Sequence, residues 1–293
     1  MQSQKESLRL SPSAIACYYE CQRRFFYRYI KKIPERPTPQ LIRGRITHKV
    51  LENFFNFVSL VDIKHDDWEK LWKDFKNGLI SLLNTEWNLI GKEYADCFEG
   101  EKEKKEYYEE TKRFLDFYAA KLAFSLSDKV KDLNRNSTWF EEEVRKFFFP
   151  RDRELKLVLE EENFSGIIDK TMSLFDDSIA IVDYKTSKSA LPHYIPDSHL
   201  KQGKSYAYLW KKHFDIMPKH ISFYYLRTGE SVFYPISERD IQEIENDIVE
   251  IRNKKQILEE FPKNPTRLCT YCDFFGNCFA NKTKSDFIKE IKN

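Results

Sequence analysis

The pattern of hydrophobic and polar residues near the N-terminus predicts two helices. Ser11 is a candidate N-cap, and Pro12 suits the first position of a helix. The aromatic and basic segment that follows extends to about Ile33, where three closely spaced prolines end it. A second helix is predicted from near Leu41 and continues past Leu51.

The segment 55–137 has a different character. It is highly charged and rich in Trp and Tyr, and it lacks the two-residue alternation of a strand. Its pattern predicts helices. We therefore expect a helical insertion or subdomain here.

Strand character begins after Thr138. Four segments rich in apolar and aromatic residues lie between turn signals and are predicted as strands. These segments are Trp139–Phe149, Glu154–Glu162, Ser165–Phe175 and Ser178–Lys185.

The rest of the chain predicts a helix, a hairpin and a second helix. Pro196–His213 has a helical pattern, and Ile221–Arg227 with Ser231–Ile236 predicts the hairpin. Ser237 and Asp240 have the spacing of a capping box, and isoleucines at helical spacing follow them. This order of elements predicts an α/β core with an α-helical elaboration.

Composition and charge restrict the class of protein. Of 293 residues, 41% are hydrophobic and 15% aromatic, which excludes general disorder, and the net charge of +2 confines any nucleic-acid site to a local patch. No apolar run approaches the roughly 20 residues of a membrane-spanning helix, and the first residues lack the apolar core of a signal peptide. We expect no membrane association and a cytoplasmic location, where six cysteines are more typical of metal ligands than of disulfides.

The strand that is predicted after Ser178 places a carboxylate on a buried face. Side chains alternate across a sheet, so Ile179, Ile181, Asp183 and Lys185 share one face. A carboxylate that follows two apolar residues is costly to bury unless it is paired or bound to a metal. Asp183 is therefore a candidate functional residue.

The preceding strand carries a second carboxylate. By the same alternation, Ile168, Met172 and Leu174 are expected on one face. Asp169 and Thr171 are then expected on the opposite face.

Two aspartates on neighbouring strands, with a lysine beside one of them, suit phosphodiester hydrolysis. Asp169 and Asp183 would supply hard oxygen ligands to Mg²⁺ or Mn²⁺, which lowers the pKa of a bound water and offsets charge on the phosphorus. Lys185 would position or deprotonate that water. The alternative is a solvated or salt-bridged Asp–Lys pair, because Asp-x-Lys alone occurs by chance in most proteins.

Polar residues on the two flanking helices are weaker candidates. Gln202 and Tyr206 lie on one helical face and would point toward a nucleic-acid strand or the catalytic groups, although an ordinary polar helix surface explains them equally well. His48 lies in the segment between Cys21 and Val50, which holds nine Lys or Arg and a single acid. That segment is either a phosphate-facing wall or a solvated basic face.

The cysteines predict a metal site at the C-terminal end. Cys269, Cys272 and Cys278 form a C-x2-C-x5-C pattern that is too compact for randomly placed core cysteines. A fourth ligand is required, and either zinc or a cubane cluster would accept four thiolates. The remaining cysteines are Cys17, Cys21 and Cys97.

These motifs together resemble the RecB-like branch of the PD-(D/E)XK nuclease superfamily, especially the iron–sulfur nucleases of the Cas4 and AddB type. The stretch S-P-S-A-I-A-C-Y-Y-E-C-Q-R-R-F-F-Y-R-Y-I is similar to that family's entry helix, and G-R-I-T-H to its G-x-x-x-H motif. G-I-I-D and D-Y-K resemble the two central motifs, and Q-G-K-S-Y resembles Q-x-x-x-Y. Gln22 departs from the proline that commonly follows the first cysteine, and residues 55–137 have no counterpart in the family.

The resemblance implies roles for individual residues. The implied ligands of Mg²⁺ or Mn²⁺ are His48, Asp169, Asp183 and the backbone carbonyl of Tyr184. The implied catalytic set is Asp169, Asp183, Lys185, Gln202 and Tyr206. The implied ligands of a [4Fe–4S] cluster are Cys21, Cys269, Cys272 and Cys278. In the basic segment, the residues that we expect to contact DNA are Arg23, Arg24 and Arg45.

The resemblance also implies an architecture. The expected fold is a restriction-endonuclease-like central mixed sheet flanked by helices, with a helical insertion and a terminus stapled by an iron–sulfur cluster. The expected division is N-terminal helices in 1–54, the insertion in 55–137, the nuclease core in 138–260 and the cysteine region in 261–293.

The function that follows as an expectation is a metal-dependent DNA exonuclease that favours single strands or free ends. The expected context is DNA repair, recombination or CRISPR adaptation, with helicase or adaptation proteins as partners because the chain has no helicase motif. One alternative is a non-catalytic DNA-binding or scaffold subunit of such a complex, against which the intact Asp169, Asp183 and Lys185 argue. Another is a zinc-stapled protein without nuclease activity.

Overall fold

A five-stranded mixed sheet forms the centre of the protein. The computed structural model describes residues 8–58, 67–133, 138–174, 176–187 and 194–291. The strands are β1 (Asp152–Leu159), β2 (Phe164–Ser173), β3 (Ile179–Lys185), β4 (His220–Tyr225) and β5 (Glu230–Pro235), and they follow this order across the sheet. Only β3 and β4 are parallel among these neighbours.

Ten α-helices occur in the described part of the chain. They are α1 (Pro12–Glu20), α2 (Gln22–Phe25), α3 (Pro39–Phe57), α4 (Trp68–Glu93), α5 (Glu101–Asp132), α6 (Phe140–Phe148), α7 (Asp197–Phe214), α8 (Glu238–Asn253), α9 (Phe275–Cys278) and α10 (Lys284–Glu290). The mixed α/β architecture that the sequence predicts is confirmed. In the described ranges, no helix combines the length and the apolar character that a bilayer crossing requires.

The helix starts that the sequence predicts are confirmed near the N-terminus. The Ser11 side chain accepts a hydrogen bond from the backbone N–H of Ala14, and Pro12 begins α1. Thr38 caps α3 in the same way, so this helix begins slightly before the predicted position. Both caps satisfy backbone donors that a helix start leaves without partners.

Separate hydrophobic cores cover the two faces of the sheet. The first core joins α1, α7 and α8 to the sheet and contains Ile168, Ile181 and Phe223. The second core joins α3, α4, α5 and α6 to the opposite face, where it includes Val182 and Tyr184. The helices of the segment 55–137 thus share a core with the sheet, while the predicted domain boundaries stay a prediction.

The prediction of a strand over Trp139–Phe149 is wrong, because these residues contain α6. Phe140, Val144 and Phe148 recur every four residues and are buried, which is the period of an amphipathic helix. Glutamates occupy the first turn and basic residues the last turn, which suits the helix dipole.

The predicted alternation along the strand that carries Asp169 is also wrong in part. Ile168 packs in the first core, whereas Met172 packs against the second core, although the sequence placed them on one face. Lys170 pairs with Val182 and lies over the Tyr184 ring on the second face. The regular alternation therefore breaks at Asp169, between these residues.

An ionic network joins α7 to α8. Lys204 Nζ lies 2.9 Å from Asp240 Oδ1 and 2.7 Å from Glu243 Oε2, and Lys201 Nζ lies 2.7 Å from Asp247 Oδ2. Asp240 also accepts hydrogen bonds from the backbone N–H and the hydroxyl of Ser237, which completes the predicted capping box. Since the network is largely buried, it fixes α7 against α8 in one position.

We expect Asp240→Ala to destabilise the fold by about 1–3 kcal/mol at pH 7, because it removes the cap and leaves Lys204 with one carboxylate fewer. Chemical denaturation measures this change in the free energy of unfolding. The matched control is Glu245→Ala, which breaks an exposed pair with Lys212 and should change that free energy by less than about 0.5 kcal/mol. Equal effects of the two substitutions would contradict this role for Asp240.

The stabilisation of the fold by Asp240 should depend on pH. Although burial opposes it, the hydrogen bonds from Lys204 and Ser237 lower the pKa of Asp240 to about 2. The stabilisation is therefore present above the ordinary carboxyl pKa and is lost as the pH falls toward about 2. The difference in the free energy of unfolding between the wild type and Asp240→Ala should therefore become smaller over that acidic range.

Candidate functional site

The candidate catalytic residues line one cavity of about 550 Å³. It lies where α3 and α7 meet the carboxyl end of β3 and the middle of β2. We call it the active-site cavity. The sequence-predicted residues in its wall are Arg45, His48, Asp169, Asp183, Tyr184, Lys185, Gln202 and Tyr206.

Three side chains in this cavity are close enough to hold one metal ion. A ring nitrogen of His48 and one oxygen each of Glu154 and Asp169 all lie within 4.8 Å of one another. His48 Nδ1 is 3.1 Å from Asp169 Oδ1 and 4.0 Å from Glu154 Oε1. The other oxygen of Asp169 accepts a 2.8 Å hydrogen bond from the backbone N–H of Tyr184, which fixes the orientation of the carboxylate.

Glu154 is the member of this group that sequence reasoning missed. It lies in the edge strand β1 with a φ of 45°, and it has no partner in β2, although Arg153 pairs with Lys170 and Leu155 with Ile168. A positive φ is unusual for a residue other than glycine and often occurs at functional sites. The signal in the sequence was the hairpin register, since continuing these pairs places Glu154 opposite Asp169.

Asp183 lines the active-site cavity and is only 2% exposed. Lys185 Nζ is 2.5 Å from its Oδ2, but the orientation leaves this oxygen without a well-directed hydrogen bond. A buried carboxylate oxygen is normally hydrogen-bonded or bound to a cation. The Lys185 ammonium is the cation beside Asp183, and the pair lines the cavity that also holds His48, Glu154 and Asp169.

The pKa values of the carboxyl groups reflect their crowding. Burial raises the pKa of Glu154 to about 7, and the nearby Asp169 carboxylate adds to this effect. Burial also raises the pKa of Asp183 to about 6, although Lys185 opposes the shift. Burial also acts to raise the pKa of Asp169. The neighbouring His48 and the backbone N–H of Tyr184 outweigh burial, so the pKa of Asp169 is lowered.

Lys185 begins a chain of hydrogen bonds that leads to α7. Its Nζ donates a 2.7 Å hydrogen bond to Gln202 Oε1, and Gln202 Nε2 donates a 3.0 Å hydrogen bond to the hydroxyl of Tyr206. Gln202 thereby keeps the lysine ammonium beside Asp183 in one rotamer. The predicted placement of Gln202 and Tyr206 on one helical face toward the strands agrees with these contacts.

The donor set fits a divalent cation. Two carboxylates and an imidazole converge, and the Asp183 carboxylate lines the same cavity. Oxygen ligands with one imidazole are typical of Mg²⁺ and Mn²⁺ sites. A cation bound there would lower the pKa of a water molecule and offset negative charge on a phosphate.

The three arginines that were expected to contact DNA lie in two places. Arg45 lines the active-site cavity and stacks over the Tyr94 ring. Arg24 forms ion pairs with Glu20 and Glu35 away from that cavity. The Arg23 guanidinium donates a 2.7 Å hydrogen bond to the carbonyl of Phe261.

Four of the six cysteines lie near one another. Cys21, Cys269 and Cys272 line a separate cavity of about 710 Å³, which we call the cysteine cavity. Burial raises the pKa of Cys278, and Cys272 and Cys21 are close enough to raise it further. In the described ranges, which include all the cysteines, no three sulfur atoms lie within 4.8 Å of one another.

The other two cysteines have different surroundings. Cys17 is buried in the first core, where burial raises its pKa to about 12. Cys97 packs against the second core, and burial raises its pKa. Neither lines the cysteine cavity.

Comparison with known proteins identifies the family. A model of the PD-(D/E)XK nuclease superfamily matches residues 9–279. The fold is similar to that of a provisionally named exonuclease from Eubacterium rectale, with 13% identity, a TM-score of 0.46, and coverage of 96% of this chain and 91% of that chain. No curated protein matches. Because the family model spans the sheet and the flanking helices that form the active-site cavity, this chain belongs to the PD-(D/E)XK nuclease superfamily.

Proposed function

We propose that this protein is a metal-dependent DNA exonuclease that uses Mg²⁺ or Mn²⁺ and acts on single strands or free DNA ends. The observation that carries the proposal is the convergence of His48, Glu154 and Asp169 beside the buried Asp183–Lys185 pair. His48, Glu154, Asp169 and Asp183 would hold the cation. The backbone carbonyl of Tyr184 stays a predicted further ligand.

Lys185 has the geometry of the general base or electrostatic group of the reaction. Its ammonium is held between Asp183 and Gln202 and lines the active-site cavity, so it can orient the attacking water and stabilise charge that develops on the phosphate. Tyr206 lies behind Gln202 and fixes it. Arg45 lines the same cavity, which supports its proposed contact with a substrate phosphate.

We further propose that Cys21, Cys269, Cys272 and Cys278 hold a structural [4Fe–4S] cluster, in the manner of the Cas4 and AddB type. Cys21, Cys269 and Cys272 line the cysteine cavity, and Cys278 is close enough to Cys272 and Cys21 for them to raise its pKa. A single zinc ion with Zn–S bonds of about 2.3 Å requires sulfur atoms within about 4 Å of one another. Iron and sulfide analysis of the purified protein separates a cluster from a zinc ion.

The cellular role that we propose is DNA repair, recombination or CRISPR adaptation, in the cytoplasm and with a helicase or adaptation protein as partner. The second candidate is a non-catalytic DNA-binding or scaffold subunit. A degenerate site would be expected to lose at least one of Asp169, Asp183 and Lys185, and all three line the same cavity here. A nuclease assay on end-labelled single- and double-stranded DNA with Mg²⁺, Mn²⁺ or EDTA separates the two.

We expect Asp183→Asn to fold normally and to lose metal-dependent cleavage, because the amide cannot replace a charged ligand. Lys185→Ala should keep its affinity for Mn²⁺ and lose about 10²–10³-fold in kcat, as when an aligned electrostatic group is removed. Mn²⁺ titration and single-turnover cleavage measure the two effects separately. Full activity of Asp183→Asn would disprove the catalytic assignment, and loss of Mn²⁺ affinity in Lys185→Ala would show that the lysine is structural.

Glu154 provides a test of the ligand set that does not depend on cleavage. Glu154→Gln should weaken Mn²⁺ binding by at least about 10-fold, because one charged ligand becomes neutral. The control is Glu52→Gln, which lines the same cavity but is paired with Lys49 at 2.7 Å. Calorimetric titration should separate the two variants, and equal affinities would exclude Glu154 as a ligand.

Cysteine substitutions test the cluster. Cys21 and Cys269 are 269 − 21 = 248 residues apart, and a crosslink that closes a loop of that length constrains the unfolded state by about 5 kcal/mol if it persists there. Cys21→Ala and Cys272→Ala should therefore lose iron, sulfide and thermal stability together. Cys17→Ala and Cys97→Ala should keep their iron content. The iron and sulfide content of each variant is measured after anaerobic purification. Loss of iron in Cys17→Ala but not in Cys21→Ala would show that Cys17, not Cys21, is the ligand.

A further inference from the structure

A line of adjoining cavities leads away from the active site. Tyr206 lines both the active-site cavity and a cavity of about 360 Å³, and Ser11 and Ser165 line both this cavity and a larger one of about 850 Å³. We call the latter two cavities together the N-terminal groove. Residues of its wall that matter here are Arg9, Ser11, Ser13, Lys32, Lys156 and Ser165.

The N-terminal groove is basic. Arg9, Arg28, Lys32 and Lys156 line it, and no acidic side chain of the described residues does so. Arg28 is partly neutralised by Glu35, at 3.0 Å, but the other three have no carboxylate partner among the described residues. A concave surface with unpaired positive charge attracts a phosphodiester backbone.

The cysteine cavity differs from the N-terminal groove in its charge. Arginines line it too, but an equal number of acidic side chains balances their charge. Its arginines are Arg24, Arg28 and Arg36, and its acids are Glu20, Glu35 and Asp273. The two surfaces therefore differ in their attraction for DNA, and the N-terminal groove is the favoured one.

Backbone contacts hold the basic wall of the groove in place. The backbone of Leu10 bonds to Asn163 and to Ser165, each at 3.1 Å, so the segment before α1 lies along the start of β2. The Arg9 guanidinium donates to Ser165 Oγ at 3.1 and 3.2 Å. Its position is thus fixed, while its charge remains available.

A glycine allows α1 to approach the sheet at this point. A Cβ atom at Gly166 would lie 2.9 Å from Pro12 and 2.8 Å from a methyl group of Leu209. Both distances are too short for real carbon contacts, so only glycine permits α1 to start on β2. This close approach places the Ser11 and Ser13 hydroxyls, 3.0 Å apart, in the same cavity as Lys156.

Aromatic and apolar side chains accompany the charges. Ile167, which is 47% exposed, lines the part of the groove next to the active-site cavity, and Tyr29 lines the far part. Tyr206 is 6% exposed and only borders the junction between the cavities. Proteins that bind single-stranded nucleic acids combine a basic groove for the backbone with such surfaces for the bases.

We propose that the N-terminal groove binds the single-stranded DNA that continues from the phosphate at the active site. This inference rests on the proposed nuclease function and adds the path of the substrate strand. Arg9, Lys32 and Lys156 contact successive phosphates along this path, and the serine hydroxyls donate hydrogen bonds to them. Tyr206 marks the point where the strand leaves the active-site cavity.

The test compares two triple variants with the same change in charge. The groove variant is Arg9→Gln/Lys32→Gln/Lys156→Gln. The control is Lys102→Gln/Lys105→Gln/Arg113→Gln on α5, whose residues line none of these cavities. Binding to a fluorescent single-stranded oligonucleotide is measured over a range of salt concentrations, with Ca²⁺ in place of Mg²⁺ so that the DNA stays intact. Thermal unfolding of both variants verifies that they are folded.

We expect the groove variant to lower the slope of log Kd against log salt by about 2, because each phosphate contact in a single strand contributes about 0.7. The control variant should keep the wild-type slope. A folded groove variant with the wild-type slope would overturn the inference. If the wild type neither binds nor cleaves DNA, the proposed function itself fails. If the wild type cleaves DNA but the groove variant has the same salt slope as the control variant, the proposed function stands and the proposed path of the strand is wrong.

Discussion

Three carboxylates meet at the bottom of the active-site cavity, and their repulsion in a partly dehydrated space sets the conditions for the surrounding structure. Burial and the neighbouring Asp169 carboxylate both raise the pKa values of Glu154 and Asp183. The protein supplies Lys185 and His48 as counter-charges, each from a different element. His48 is close to Asp169 and Glu154, and Lys185 is close to Asp183. A divalent cation held by His48, Glu154 and Asp169 would offset the remaining negative charge.

The two ends of the chain are held together by contacts that do not involve sulfur. Arg23 donates from its backbone and its guanidinium to the carbonyls of Pro262 and Phe261, and Asn264 donates to the carbonyl of Glu20. Cys21 lies between these contacts in an extended conformation that separates α1 from α2, whereas Cys17 faces the core one turn earlier. The backbone break at Cys21 is thus what directs this thiol toward the cysteine cavity. A cluster would add to an interface that these contacts already form.

Local signals in the sequence predicted most of the elements and the Asp183–Lys185 pair, because caps, turns and a carboxylate on an apolar strand face are short-range features. The error over Trp139–Phe149 arose because aromatic residues are common in strands. The four-residue spacing of Phe140, Val144 and Phe148 instead matches the helix that packs against α3 and α4. Glu154 was missed because its role depends on cross-strand register and on a positive φ, neither of which is local. The break in the strand alternation at Asp169 was missed for the same reason. One irregular residue in a strand moves the side chains that follow it to the opposite face of the sheet. The two cores and the proximity of the cysteines depend on contacts between distant segments.

Three residues of α7 act together in orienting Lys185. They are Gln202, Gly203 and Tyr206. A Cβ at Gly203 would lie 2.6 Å from the ring of Phe223, which is fully buried and cannot move away. Glycine therefore lets α7 lie directly on β4, and this close approach brings Gln202 within 2.7 Å of the Lys185 ammonium. One helical turn later, Tyr206 receives the other hydrogen bond of the Gln202 amide and lines the N-terminal groove as well as the active-site cavity. The spacing that orients the lysine thus also forms the boundary between the active-site cavity and the N-terminal groove.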